Sequence, residues 1–158
     1  MRTLDFAFDS TLKRLHKLKT YTDVDFYSFE IDSKPLVSCA YTCCIALIVQ
    51  NEYRAALAHM HPEENIEDYT TPIIDKMGVN PRELKTAIVA GSKTKHIEGY
   101  LRRIGTQFLE AGHTRYNRRE HRDIIVIPSR QKFLICMDNK VIGLSFNPGK
   151  RNKVQIYS

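Results

Sequence analysis

The chain has 158 residues, enough for one domain with a true hydrophobic core and too few for two. Hydrophobic residues make up 42% and charged residues 27%, a globular balance, and no apolar run approaches the roughly 20 residues that span a bilayer. The net charge of +6 suits plain solubility and equally suits an acidic partner, whether protein, nucleic acid or membrane surface.

At the N-terminus, MRTLDFAFDSTLKRL carries Asp5 and Asp9 and lacks the apolar stretch of a signal peptide. The expectation is a cytoplasmic protein, or one exported without a Sec signal peptide. In that setting Cys39, Cys43, Cys44 and Cys136 are expected as reduced thiols. Leu4, Phe8, Leu12, Leu15 and Leu18 recur at helical spacing, opposite Lys13, Arg14, Lys17 and Lys19, and predict an amphipathic helix. VDFYSFEID predicts a strand that Pro35 closes. CIALIVQ (44–50) reads as a buried strand, NEY as a turn and RAALAHM (54–60) as the returning strand of a hairpin that Pro62 breaks.

Glu63 and Glu64 are expected to open a helix marked by Ile66, Tyr69, Ile73, Ile74 and Met77, kinked near Pro72 and capped by Gly78. LKTAIVAG (84–91) predicts a strand. Ile97, Leu101, Ile104, Phe108 and Leu109 predict a second long helix that Gly112 stops. RDIIVIP (122–128), KFLICMD (132–138), VIGLSF (141–146) and KVQIYS (153–158) predict short closing strands. The order gives the α+β class: a mixed, mainly antiparallel β-sheet with helices packed on it, in a single domain over 1–158.

A hairpin brings the start of one strand beside the end of the next, so Cys44 and His59 are expected as neighbours despite fifteen intervening steps. An imidazole can take a thiol proton and form a thiolate–imidazolium pair that attacks a carbonyl carbon. A third group must orient the ring, and the Ser38 hydroxyl is a candidate; the Cys44 backbone N–H is a candidate oxyanion donor. Spacing alone leaves a second reading open, in which the cysteine is core packing and the histidine a satisfied surface residue.

The stretch SCAYTCCIALIVQNEYRAALAHMHP resembles the active-site hairpin of the chemoreceptor glutamine deamidases (CheD). In that family a threonine precedes a cysteine by six residues; an apolar strand, a turn and a second strand ending in Ala-His follow, with a proline soon after. Ser38 takes the threonine position, Cys44 that of the cysteine, and Ala58, His59 and Pro62 close the motif. The similarity continues through IIDKMGVNPRELKTAIVAGSK, IEGYLRRIGTQFLEAG and RDIIVIPSRQKFLICM, covering about residues 30–137. A related Cys–His hairpin occurs in deamidating bacterial toxins such as the cytotoxic necrotizing factors, and N-terminal asparagine amidohydrolases share the strand start. Thr42-Cys43 replaces the family's Gly-Ser, Ala55 and Ala56 replace paired glycines, and TRYNRREH stands where a glycine-rich loop is expected.

The resemblance implies loss of ammonia from a side-chain carboxamide, glutamine ahead of asparagine, in a protein substrate: a chemoreceptor, or a host protein targeted by a bacterial effector. It implies Cys44 as nucleophile, with Cys43 as its rival, His59 as acid–base and Ser38 as orienting residue, with no metal or organic cofactor. Arg115, Arg118 and Arg119, in the basic run HTRYNRREHR with Tyr116 and Arg122, are candidate substrate-binding residues: they could read acidic protein surface or, ranking below that, nucleic acid. His59 and His61 with Cys39 or Cys43 could in principle hold zinc, but their spacing matches no zinc pattern. Cys136, Met60 and Met77 read as core. The alternative function is a non-catalytic basic module that binds an acidic protein or RNA.

Overall fold

The computed structural model describes residues 9–91, 94–111, 114–117, 119–147 and 153–156. Leu4, Phe8, Gly112, His113, Arg118, Lys150 and Arg151 lie outside the described residues. Among the described residues eleven strands appear in chain order: β1 (Thr22–Asp23), β2 (Phe29–Asp32), β3 (Leu36–Tyr41), β4 (Ile45–Gln50), β5 (Ala55–Met60), β6 (Lys85–Ala90), β7 (Gln107–Phe108), β8 (Arg122–Ile127), β9 (Lys132–Cys136), β10 (Lys140–Ser145) and β11 (Lys153–Ile156). The helices are α1 (Asp9–Leu15), α2 (Glu67–Met77) and α3 (Lys95–Arg103).

The class is α+β, as expected, but the strands divide between two sheets. One has the order β1-β3-β8-β9-β10-β11, the other β2-β5-β4-β6-β7. Both are mixed and mainly antiparallel, with β1–β3 and β6–β7 the parallel pairs. Period-two alternation decides how the sheets stack. Ala46, Ile48, Leu57, Ala87 and Val89 face Leu36, Ile124, Val126, Phe133 and Ile135 of the six-stranded sheet and form the inter-sheet core. From the other face of the five-stranded sheet, Ile45, Leu47, Ala58, Met60 and Ile88 meet Tyr69, Ile73 and Met77 of α2 and Ile97 and Leu101 of α3. Leu15 of α1 covers the outer face of the six-stranded sheet over Val37, Cys39, Ile125 and Cys136. The layers therefore run α1, sheet, sheet, α2 with α3.

The hairpin forms over the expected residues because both its strands are buried on both faces. Pro72 sits inside α2, and Gly78 ends the helix in the left-handed region at φ 66°, its N–H bonded to the Ile74 carbonyl. Four expectations need correction, the first being that the strand expected over VDFYSFEID forms only over Phe29–Asp32. Glu63 and Glu64 precede α2 in a turn, where Glu64 Oε1 accepts from the His61 N–H at 2.8 Å and Oε2 from the Tyr69 hydroxyl at 2.6 Å. The second long helix stops at Arg103, since Gly105 turns the chain at φ 91° and the Thr106 hydroxyl takes the Leu101 carbonyl at 3.0 Å. Gln107 and Phe108 then pair with β6 as a strand. In α1, Leu12 is exposed while Ser10 and Thr11 are buried, so that helix docks through hydroxyls as well as Leu15: Thr11 bonds Asp123 Oδ2 at 2.7 Å.

Candidate active site

Three neighbouring strands supply the candidate residues: Ser38 from β3, Cys44 from the residue before β4, and His59 from β5. Ala46 stands directly opposite His59 in the β4–β5 ladder. Cys44 precedes Ala46 by two and so shares its face, and both belong to the inter-sheet core. The thiol and the imidazole are diagonal neighbours on one face, with Cβ atoms roughly 7 Å apart by ladder geometry. Cys43 lies outside the strand and is half-buried, also against that core. Strand parity thus places Cys44, rather than Cys43, in line with His59.

Ser38 meets the histidine directly. Its Oγ lies 2.9 Å from His59 Nδ1 and donates to the Val24 carbonyl at 2.9 Å. A hydroxyl has one proton; with that proton on Val24, Ser38 Oγ accepts from Nδ1–H. The ring is held as the Nδ1–H tautomer, which makes Nε2 the basic nitrogen. Tyr41 stacks on the imidazole with centroids 3.8 Å apart and planes at 15°, and its hydroxyl donates to the Ala58 carbonyl at 3.2 Å. Phe26, itself exposed, meets the ring edge-on at 4.7 Å. The imidazole is buried and fixed on two sides.

Cys44 is 8% exposed. Burial, then the adjacent Cys43 and the Glu64 charge, push its thiol from an ordinary 9.0 up to about 11. The thiol therefore keeps its proton at neutral pH. Proton transfer to the ring would then accompany attack.

The basic loop is anchored at the same place. Tyr116 packs against the inter-sheet core, and its hydroxyl donates to the Cys44 carbonyl at 3.2 Å. The Arg122 guanidinium lies 4.8 Å over the Tyr116 ring. A Cβ on Gly91 would come within 2.5 Å of the Thr42 carbonyl and 2.8 Å of Tyr116 Cε2, so this glycine permits a close approach beside the cysteine. The tyrosine among arginines is turned inward and does not present a stacking platform. Arg115 is paired with Glu98 of α3, Arg119 is exposed, and Arg118 lies outside the described residues.

Cys39 belongs to the outer face of the six-stranded sheet under α1, away from His59, so the zinc set that includes it is not assembled. Among the described residues no three His, Cys, Asp or Glu side chains converge to hold a metal ion. No helix among them is long and apolar enough to cross a membrane. Cys136 and Met60 are buried in the core, as expected. Sequence reasoning missed Tyr41, and it named Tyr116 as an aromatic among arginines but not as the partner of the Cys44 carbonyl. Tyr41 had a signal in its place three residues before Cys44; Tyr116 had none, since its partner is a backbone carbonyl 72 positions away. Compared with protein-family models and with curated proteins, the chain matches none.

Proposed function

We propose that the protein is a cysteine amidohydrolase that deamidates glutamine, and asparagine less readily, in a protein substrate. The observation that carries this reading is the Ser38–His59 contact: a fully buried imidazole with a fixed tautomer, on the strand face that also bears Cys44. A hydroxyl that fixes the ring's orientation and tautomer is what an acid–base histidine requires. The fit to the Cys, His and hydroxyl arrangement of the CheD-like deamidases supports the same reading.

In the proposed reaction the Cys44 sulfur bonds to the carboxamide carbon while His59 Nε2 takes the thiol proton. The imidazolium then gives that proton to the departing nitrogen, and the C–N bond breaks to release ammonia and leave a thioester. His59 next takes a proton from water, whose oxygen bonds to the carbonyl carbon. Cleavage of the C–S bond returns the proton to sulfur and frees the acid. Ser38 keeps the ring in register throughout. The test is intact-mass and peptide mapping of candidate substrates, chemoreceptors and host proteins alike. A gain of about one dalton at a glutamine is expected from the native protein and lost in Cys44→Ala and His59→Ala.

The second reading is a non-catalytic module that binds an acidic protein or RNA, and the raised thiol pKa and buried ring favour it. That module would bind with affinity falling steeply with salt and would leave every carboxamide intact.

A further inference from the structure

A surface groove of about 880 Å³ lies between β2 and α2. Its floor includes Phe29 and Ile31, which pack toward the helix layer. β2 is the edge strand of its sheet, and among the described residues no strand pairs with its outer side. Residues 27–31 all line the groove, so backbone as well as side chains face it. The four residues of β2 span roughly 13 Å and the eleven residues of α2 about 16 Å, so wall and edge are of similar length.

One end of this groove reaches the backbone of His59, whose ring lies on the other face of the sheet, and alternate side chains of a strand paired there reach both faces. The Tyr27 N–H donates to the His59 carbonyl at 2.7 Å, and the His59 N–H to the Ser28 carbonyl at 3.0 Å. Tyr27 is held at φ 56°, a left-handed conformation costly for a tyrosine. Glu64 also lines this end and lies near enough to Cys44 for its charge to act on the thiol. The two ends differ in charge. Glu64 and Asp68 stand at the site end and Arg54 at the other, where it donates to the Lys76 carbonyl at 3.0 Å, while the Lys76 ammonium lies 5.2 Å over the Phe29 ring between them.

We propose that this groove seats an extended segment of the protein substrate along the open edge of β2, with a basic residue beside the target carboxamide and an acidic residue about four positions away. The inference rests on reading Cys44 and His59 as the deamidating pair. Edge-strand pairing supplies affinity without regard to sequence, and the two charged ends supply register, delivering the glutamine to the Tyr27 end.

Binding is tested apart from chemistry, in Cys44→Ala protein, by fluorescence anisotropy of short labelled peptides with one central glutamine. Two peptides carry Lys beside the glutamine and Asp about four residues to one side or the other; their counterparts exchange the two charges. One of the first pair should bind roughly threefold or more tighter than its counterpart at low salt. Lys76→Glu and Asp68→Lys, both at exposed positions, should each reduce that preference, and together should invert it. Backbone N-methylation should weaken binding at one alternate set of residues and not at the other, since only alternate amides face a paired strand. Equal affinity for the charge-exchanged peptides, a preference the variants leave unchanged, or indifference to both methylation sets would overturn the proposal. Wild-type protein that binds the preferred peptide by these criteria yet leaves its glutamine intact would count against the deamidase reading alone.

Discussion

Ser38 Oγ accepts the Nδ1 proton of His59 across 2.9 Å while its own proton goes to the Val24 carbonyl, so one hydroxyl fixes both the position and the tautomer of a fully buried ring. The bond links the two sheets, since Ser38 belongs to the six-stranded sheet and His59 to the five-stranded one.

Removing that hydroxyl should affect chemistry more than folding. Ser38→Ala leaves a buried carbonyl and a buried ring N–H without their partner, a cost of roughly 1–3 kcal/mol. It also frees the other tautomer, which places the basic nitrogen wrongly, and kcat/KM should fall roughly tenfold or more. Ser38→Thr restores the oxygen and should recover most of the activity. Steady-state ammonia release and thermal melts on the two variants check this; an alanine variant as active as wild type would remove Ser38 from the orienting role.

A thiol pushed up to about 11 is slow to alkylate at neutral pH. Labelling of Cys44 by iodoacetamide should rise about tenfold per pH unit from neutrality until the pH nears 11. Peptide mapping after timed labelling reads the rate. A Cys44 rate already at its plateau at neutral pH would show that the thiol is ionised in the free protein, and with it a mechanism that starts from the thiolate.

The hairpin that carries Cys44 and His59 was legible because IALIVQ and AALAHM are continuous apolar runs around an obvious turn, and strand parity follows from counting. Ser38 could be named as a residue but not placed. Its strand, LVSCAY, follows Pro35 and holds Ser, Cys and Ala where a strand pattern wants branched residues; its pairing depends on β8, more than eighty positions on, with a register shift between Ser38 and Tyr41 and Ala40 at φ 63°. Helical periodicity ran past Arg103 because Ile104, Phe108 and Leu109 keep the spacing, and only the parallel pairing with β6 claims residues 107–108 as a strand. Alternation reports that a strand is buried, not which sheet receives it, so the split into two sheets was beyond local pattern.

Buried thiols also set an alkaline limit on stability. Cys44 and Cys136 rise from 9.0 to about 11 and about 12, chiefly through burial. A raised folded-state pKa means the native protein holds a proton that the unfolded chain releases above pH 9.0. The stabilisation is whole below that pH and is lost as the pH climbs toward the folded values. The thermal midpoint should therefore fall between pH 9.0 and about 11, and Cys136→Ala, less stable at neutrality, should fall less steeply over the same interval. Parallel slopes for the two proteins would show that Cys136 does not contribute.

Two glycines separate the geometry of the site from stability at large. Gly78 sits at φ 66° with open space around its Cβ position, so Gly78→Ala costs about 1–2 kcal/mol of backbone strain far from the chemistry. Gly91→Ala would meet the Thr42 carbonyl at 2.5 Å and Tyr116 Cε2 at 2.8 Å, a cost of about 1–3 kcal/mol through overpacking. The atoms that must give way there are the ones that hold the cysteine: Thr42 lies two residues before Cys44, and the Tyr116 hydroxyl bonds the Cys44 carbonyl. At a temperature well below both midpoints, Gly78→Ala should retain wild-type kcat/KM while Gly91→Ala loses roughly tenfold or more, since small displacements of a reacting atom are costly. Tyr116→Phe, which keeps the ring and drops the hydrogen bond, should fall between the two. If Gly91→Ala instead matches Gly78→Ala in activity at comparable stability, the segment after β6 has no part in setting the thiol's position.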